Sequence, residues 1–196
     1  MENTQLEDRH LIERARDGDE PAFAELVRRF ERPVFSLVYR LVRHRETAED
    51  LAQEAFVKVY QNLDRFDPKY KVSSWLFKIA HNHTIDHLRR RRLDTLSIEG
   101  SPYDDAAEGG ERSGITLASK TETPDVEAEG HELGDAIEHA IGRLRPQYRT
   151  AVVLRHIEGR PYEEIAHVMD LPLGTVKTYL HRARAELQES LGYLRE

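Results

Sequence analysis

A chain of 196 residues, 39% hydrophobic and 33% charged, suits one domain or two small ones with modest cores. The absence of cysteine excludes disulfides, thiolate zinc sites and cysteine nucleophiles. The net charge of −7 argues against a nucleic-acid partner only until it is localised: residues 93–140 hold 13 acidic and 2 basic side chains, a balance of −11, and the rest of the chain is at +4.

The start, Met1-Glu2-Asn3-Thr4-Gln5-Leu6-Glu7-Asp8, is polar and acidic, unlike a signal peptide. No apolar run approaches the ~18 residues of a membrane helix, so a cytoplasmic protein without membrane insertion is expected. Residues 22–43 place Phe23, Leu26, Val27, Phe30, Val34, Leu37, Val38 and Leu41 at helical spacing, and Pro33 is expected to break or kink the stretch. Residues 46–63 give the cleanest period. Ala48, Leu51, Ala52, Ala55, Phe56, Val59, Tyr60 and Leu63 form one stripe, with Asp50, Gln53 and Glu54 on the polar side. By spacing alone those three are a solvated face.

After a polar loop, Asp64 to Lys71, a helix is expected from about Ser73 to Arg92, capped by Ser73 or Ser74. Val72, Leu76 and Ile79 share one face, and Trp75, Lys78, Asn82 and Arg89 the next; Ile85 and Leu88 lie on neither. An aromatic, an amide and cations in one stripe suit base stacking and backbone gripping of a single strand. The competing reading makes Trp75 core and the run Arg89 to Arg92 a helix C-terminal charge complement. His83 and His87 are one turn apart and could pair on a metal, but no third ligand is in register, so no metal site is expected.

Residues 93–134, rich in Gly, Ser, Thr, Pro and acid, lack apolar periodicity and are expected to form a flexible linker. Helices follow at 135–144 and 147–157, closed by Gly159. Then comes a helix-turn-helix: Tyr162 to Met169, a turn through Asp170-Leu171-Pro172, and a helix from about Leu173 to Gln188. Asp170 tolerates a left-handed turn, and Pro172 suits the first turn of a helix. Val176, Leu180, Ala183 and Leu187 face inward, while Thr175, Lys177, Thr178, His181 and Arg182 offer donors to phosphates and base edges. An amphipathic hairpin with a solvated basic face is the plainer alternative.

These segments in this order resemble the sigma-70 family of bacterial transcription initiation factors, specifically the extracytoplasmic function (ECF) group. Ala22-Phe23-Ala24-Glu25-Leu26, Ala48 to Phe56 and Ser74 to Asn82 are similar to its region 2. Leu144-Arg145-Pro146, Tyr162 to Ala166, Gly174 to Lys177 and Arg182-Ala183-Arg184 are similar to its region 4. The resemblance implies an all-α fold of two small helical domains, 1–92 and 135–196, joined by the flexible acidic linker 93–134. It also changes the reading of the polar face at Asp50, Leu51, Gln53 and Glu54, which it makes a surface for the β′ clamp helices of core RNA polymerase, with the β flap as a second contact. It assigns Ser74, Trp75, Lys78, Asn82 and Arg89, with the loop from about Arg65, to opening the −10 element and holding its melted non-template strand, where extruding a base costs a few kcal/mol. Thr175, Lys177, Thr178, His181 and Arg182 would read the −35 duplex. The acidic linker would run through the polymerase toward the RNA exit channel.

A sigma factor with no catalytic residue, metal or cofactor is therefore expected, a monomer outside the holoenzyme, with an anti-sigma factor as a possible partner. The linker is long for the group, and with His181 in the reading helix the promoter sequence does not carry over. The alternative function is a helix-turn-helix regulator acting on an operator without polymerase, for which no dimerisation helix is evident. A metal nuclease is a distant third.

Overall fold

The computed structural model describes residues 2–98 and 124–192, with side chains placed over 5–93 and 133–192. The described residues form helices and no strand: α1 (Glu2–Arg16), α2 (Glu20–Val42), α3 (Arg45–Gln61), α4 (Val72–Ile98), α5 (Pro124–Arg143), α6 (Pro146–Val152), α7 (Tyr162–Met169) and α8 (Leu173–Ser190). A 3-10 turn, Leu63–Arg65, follows α3, and a π turn, Val153–Ile157, extends α6.

Local chemistry sets the helix ends. Gly18 takes a positive φ of 89° between α1 and α2. Asp19 then caps α2 by accepting from the Ala22 N–H at 3.1 Å, and the Arg14 guanidinium beside it helps hold its carboxyl below the usual range. At the far end Arg43 closes α2 in the left-handed region, φ 56°. His44 Nδ1 accepts from the Thr47 N–H and starts α3.

The first core lies among α1 to α4. Ile12, Leu26, Val34 and Val38 meet Ala48, Leu51, Ala55 and Val59 of α3 and Val72, Leu76 and Ala80 of α4. The expected break at Pro33 does not occur: α2 runs through it unbroken. Pro33 removes one intrahelical bond, but Val34, Leu37 and Val38 beyond it are fully buried, and that packing outweighs the loss. The α3 stripe is narrower than its sequence period, because Tyr60 stays 48% exposed, edge-on to Phe23 with ring centroids 4.9 Å apart.

The second core gathers Ile141, Leu144, Tyr148, Val152, Val153, Leu154, Ile165, Val168, Val176 and Leu180 from α5 to α8. It also takes in Leu37, Leu41 and Phe77 from the first domain. The two helical units therefore do not stand apart. They share a core, because Leu37 and Leu41 continue the apolar stripe of α2 toward its C-terminus and Phe77 adds an apolar position on α4 beside the Leu76 face. This accounts for a helix α4 that fits no single stripe.

Arg149 ties the same junction together. It is half-buried and donates to the carbonyls of Leu41 and Leu144, each at 2.9 Å, and also to those of Arg40 and Gly142. Burial, with Arg43 nearby, lowers its pKa to about 10, so it stays charged at neutral pH and satisfies the open C-terminal carbonyls of α2 and α5. Arg40 pairs with Glu138 at 2.7 Å, and Arg43 donates to the Glu138 carbonyl in space that the bare Gly142 leaves open.

The flexible linker expected over 93–134 is shorter at both ends, since α4 continues to Ile98 and α5 begins at Pro124. A proline followed by acidic residues is a favourable helix start that a search for apolar periodicity passes over. The rest of the expected linker, 99–123, lies outside the described residues. No described helix is long and apolar enough to cross a membrane.

Candidate nucleic-acid interface

The second helix of the helix-turn-helix presents one of two candidate surfaces. Asp170 adopts the left-handed conformation, φ 56°, as its place in the turn predicts, and its N–H bonds back to α7. Ile165, Val168 and Met169 of α7 and Val176, Leu180 and Ala183 of α8 are buried together. This fixes which way α8 faces: Lys177, Thr178, His181 and Arg182 are exposed along one side, with Thr175 half-buried at its start. Thr178 bonds back to the Gly174 carbonyl at 2.9 Å, and Arg182 reaches the Tyr148 hydroxyl at 3.4 Å. An anchored helix with polar and cationic side chains on its outer face suits a duplex groove.

The other surface is concave. A groove of about 530 Å³ lies between the end of α3, the following loop and α4. Trp75, Lys78 and Asn82 line it, as their shared stripe predicts. Trp75 is partly buried against the first core, its ring 5.3 Å from Phe66, so the core and ligand readings of this residue hold together. Two expected members are placed differently. Ser74 is 1% exposed and donates to Glu164 of α7 at 2.8 Å, so it sits in the helix and contacts the second domain instead of capping α4 or facing the groove. Arg89 turns to Asp86 at 3.7 Å, and Arg90 lines the groove in its place. Lys58, Gln61 and Asn62 complete the lining from α3; they are the polar tail of the α3 period and carry no signal of their own.

On α3, Asp50, Gln53 and Glu54 are exposed on one face, while Leu51 is 4% exposed and belongs to the first core. A shallow cavity of about 330 Å³ beside them is lined by Asp50, Leu51, Glu54, His83, His87 and Arg90. His83 Nε2 lies 2.7 Å from Glu54. His81 is buried, with its pKa lowered to about 4 by desolvation. His81 is thus set apart in the core while His83 and His87 share the cavity, and no cluster of three metal-ligating side chains occurs among the described residues.

Two family models match this architecture: sigma-70 region 2 over residues 26–93 and sigma-70 region 4 over residues 134–187. The ECF RNA polymerase sigma factor SigW of Bacillus subtilis is 37% identical over 184 residues, covering 92% of this chain and 94% of its own. The chain belongs to the ECF group of the sigma-70 family.

The RNA polymerase sigma-H factor of Pseudomonas aeruginosa is 35% identical over 192 residues, 96% of this sigma factor and 95% of its own length. Among solved structures, CnrH in complex with the cytosolic domain of CnrY superimposes with a TM-score of 0.67 at 26% identity, covering 95% of this chain and 98% of that one. As a sigma factor the chain is a promoter-specificity protein of transcription initiation, and the free-standing operator-binding regulator is not favoured.

Proposed function

We propose that this sigma factor divides its work among three surfaces. Exposed Asp50, Gln53 and Glu54 of α3 dock on basic residues of the polymerase β′ clamp helices. Lys177, Thr178, His181 and Arg182 of α8, with Thr175 at its start, read −35 duplex. The groove of Trp75, Lys78 and Asn82, with Arg90, holds the melted −10 strand. The single observation that carries the reading is this groove, because an aromatic wall, an amide and cations in a concave site match an unstacked base and its backbone. The factor does no chemistry of its own; it supplies binding that offsets the cost of melting.

An anti-sigma protein is a further proposed partner, as the resemblance implies. That CnrH was solved in complex with the cytosolic domain of CnrY supports a further protein partner.

Run-off transcription with core polymerase on a random promoter library tests the whole. Discrete start sites that depend on the factor are expected. Asp50→Arg should lower affinity for core at least ~30-fold, the scale of reversing a charge at an interface, with the helical circular dichroism spectrum unchanged. Core binding at wild-type affinity would show that α3 is not the docking face.

A further inference from the structure

The strand groove is not open. Its outer wall is His167 of α7, whose ring stacks on Tyr70 with centroids 3.6 Å apart and planes 11° apart. Around it, carboxylates of the second domain sit on polar and cationic groups of the first. Glu164 meets Lys71 at 2.5 Å and accepts from Ser74 at 2.8 Å. Asp170 meets Lys78 at 3.1 Å. Arg160 donates to Ser73 at 2.8 Å, and its guanidinium lies 5.0 Å from the Phe77 ring.

We propose that α7 is an intramolecular competitor for the melted strand: Glu164 and Asp170 take the place of phosphates on Lys71 and Lys78, His167 takes the place of a base on Tyr70, and the free factor is closed against single-stranded DNA. This rests on the reading of the groove as the strand site. Each of the three contacts offers the chemistry that a nucleotide would, anion to ammonium and flat ring to flat ring.

The closed form covers one surface and leaves the others accessible. Asp50, Gln53 and Glu54 stay exposed, as do Lys177, His181 and Arg182. Polymerase can therefore dock on α3 while the groove is shut, and separating the domains is what opens it. The contact is also built to release. Arg160 Nε and His167 Nε2 are shielded from solvent without a hydrogen-bond partner among the described residues, a penalty that opening removes.

The full chain, free of cysteine, allows a direct test. Donor and acceptor dyes on Glu46→Cys of α3 and Glu189→Cys of α8, both exposed positions, report closure by energy transfer. A degenerate single-stranded 12-mer pool reports access to the groove. Glu164→Gln is expected to lower transfer and raise affinity for the pool about tenfold, whereas Glu163→Gln, the same charge change at an exposed neighbour, should do neither. Glu138→Gln, which loosens the Arg40 pair far from the groove, should move both readouts in the same direction by a few-fold.

Equal gains from Glu163→Gln and Glu164→Gln would reduce the effect to net charge and overturn competition. Low transfer in the unmodified sequence would overturn closure while leaving the strand site intact, provided Asn82→Ala still weakens pool binding. If transfer falls with Glu164→Gln but affinity does not change, competition is overturned. Should Asn82→Ala be silent as well, the strand-site reading falls with it.

Discussion

The two candidate DNA surfaces of this sigma factor differ in what they require of the fold. The α8 face is convex and needs only an anchored helix: Val176, Leu180 and Ala183 are buried, and the polar side chains opposite them are exposed. The α4 groove is concave and needs three segments brought together, with an aromatic wall and cations that are costly to leave unpaired. A helix can wait exposed for a duplex, because its donors are hydrated. A groove with Tyr70 and Trp75 in its lining and ammonium groups at its rim attracts any surface with matching chemistry, and here that surface is the chain's own α7.

The coupling of the two domains can be broken most strongly at Phe77. It is 1% exposed and, with Leu37 and Leu41, carries the first domain into the second core. Phe77→Ala should cost about 3–5 kcal/mol and separate thermal unfolding into two transitions in calorimetry. Leu26→Ala, confined to the first core, should cost about 2–5 kcal/mol while leaving the domains coupled. A single unshifted transition for Phe77→Ala would mean that the shared core adds nothing to cooperativity.

A smaller effect comes from pH. His81 lies one turn beyond Phe77 on α4, and burial lowers its pKa to about 4 from the ordinary 6.5. The unfolded chain binds the proton more readily, so this stabilisation is complete above pH 6.5, is lost as pH falls toward 4, and totals about 3 kcal/mol. His167, lowered by burial and by Lys78 and Lys69 against the opposing Asp170 and Asp67, adds in the same direction. Denaturant titrations of the unmodified chain and His81→Leu should differ in pH slope between 6.5 and 4. Parallel profiles would show that His81 does not titrate as a buried group.

What the sequence made legible follows from where the determinants are local. The helix-turn-helix could be read to within a residue or two, because Asp170, Pro172 and the inward period of α8 are contiguous signals. Trp75, Lys78 and Asn82 were legible as a stripe on one helix. The arrangement of the domains was not legible, since Leu37, Leu41 and Phe77 look like ordinary core residues until the partner surface is present. Ser74 illustrates the same limit: a serine near a helix start suggests a cap, and only the fold brings Glu164 within 2.8 Å of it. Arg90 in place of Arg89 is a matter of a side chain choosing Asp86, which heptad spacing cannot anticipate.

The contrast between the surfaces is sharpened by Arg182, the smallest of these effects and the most selective. It is exposed on α8, and its hydrogen bond to the Tyr148 hydroxyl, at 3.4 Å, is long enough to yield to a base. Arg182→Ala should weaken binding to intact promoter duplex about tenfold, the low end for losing one base-edge contact. On a premelted template carrying only the downstream element, the same variant should behave as the unmodified factor, while Asn82→Ala should lose binding there. Equal loss by Arg182→Ala on both templates would break the division between a duplex reader and a strand reader, because a side chain confined to the upstream face has nothing to contact on the second template.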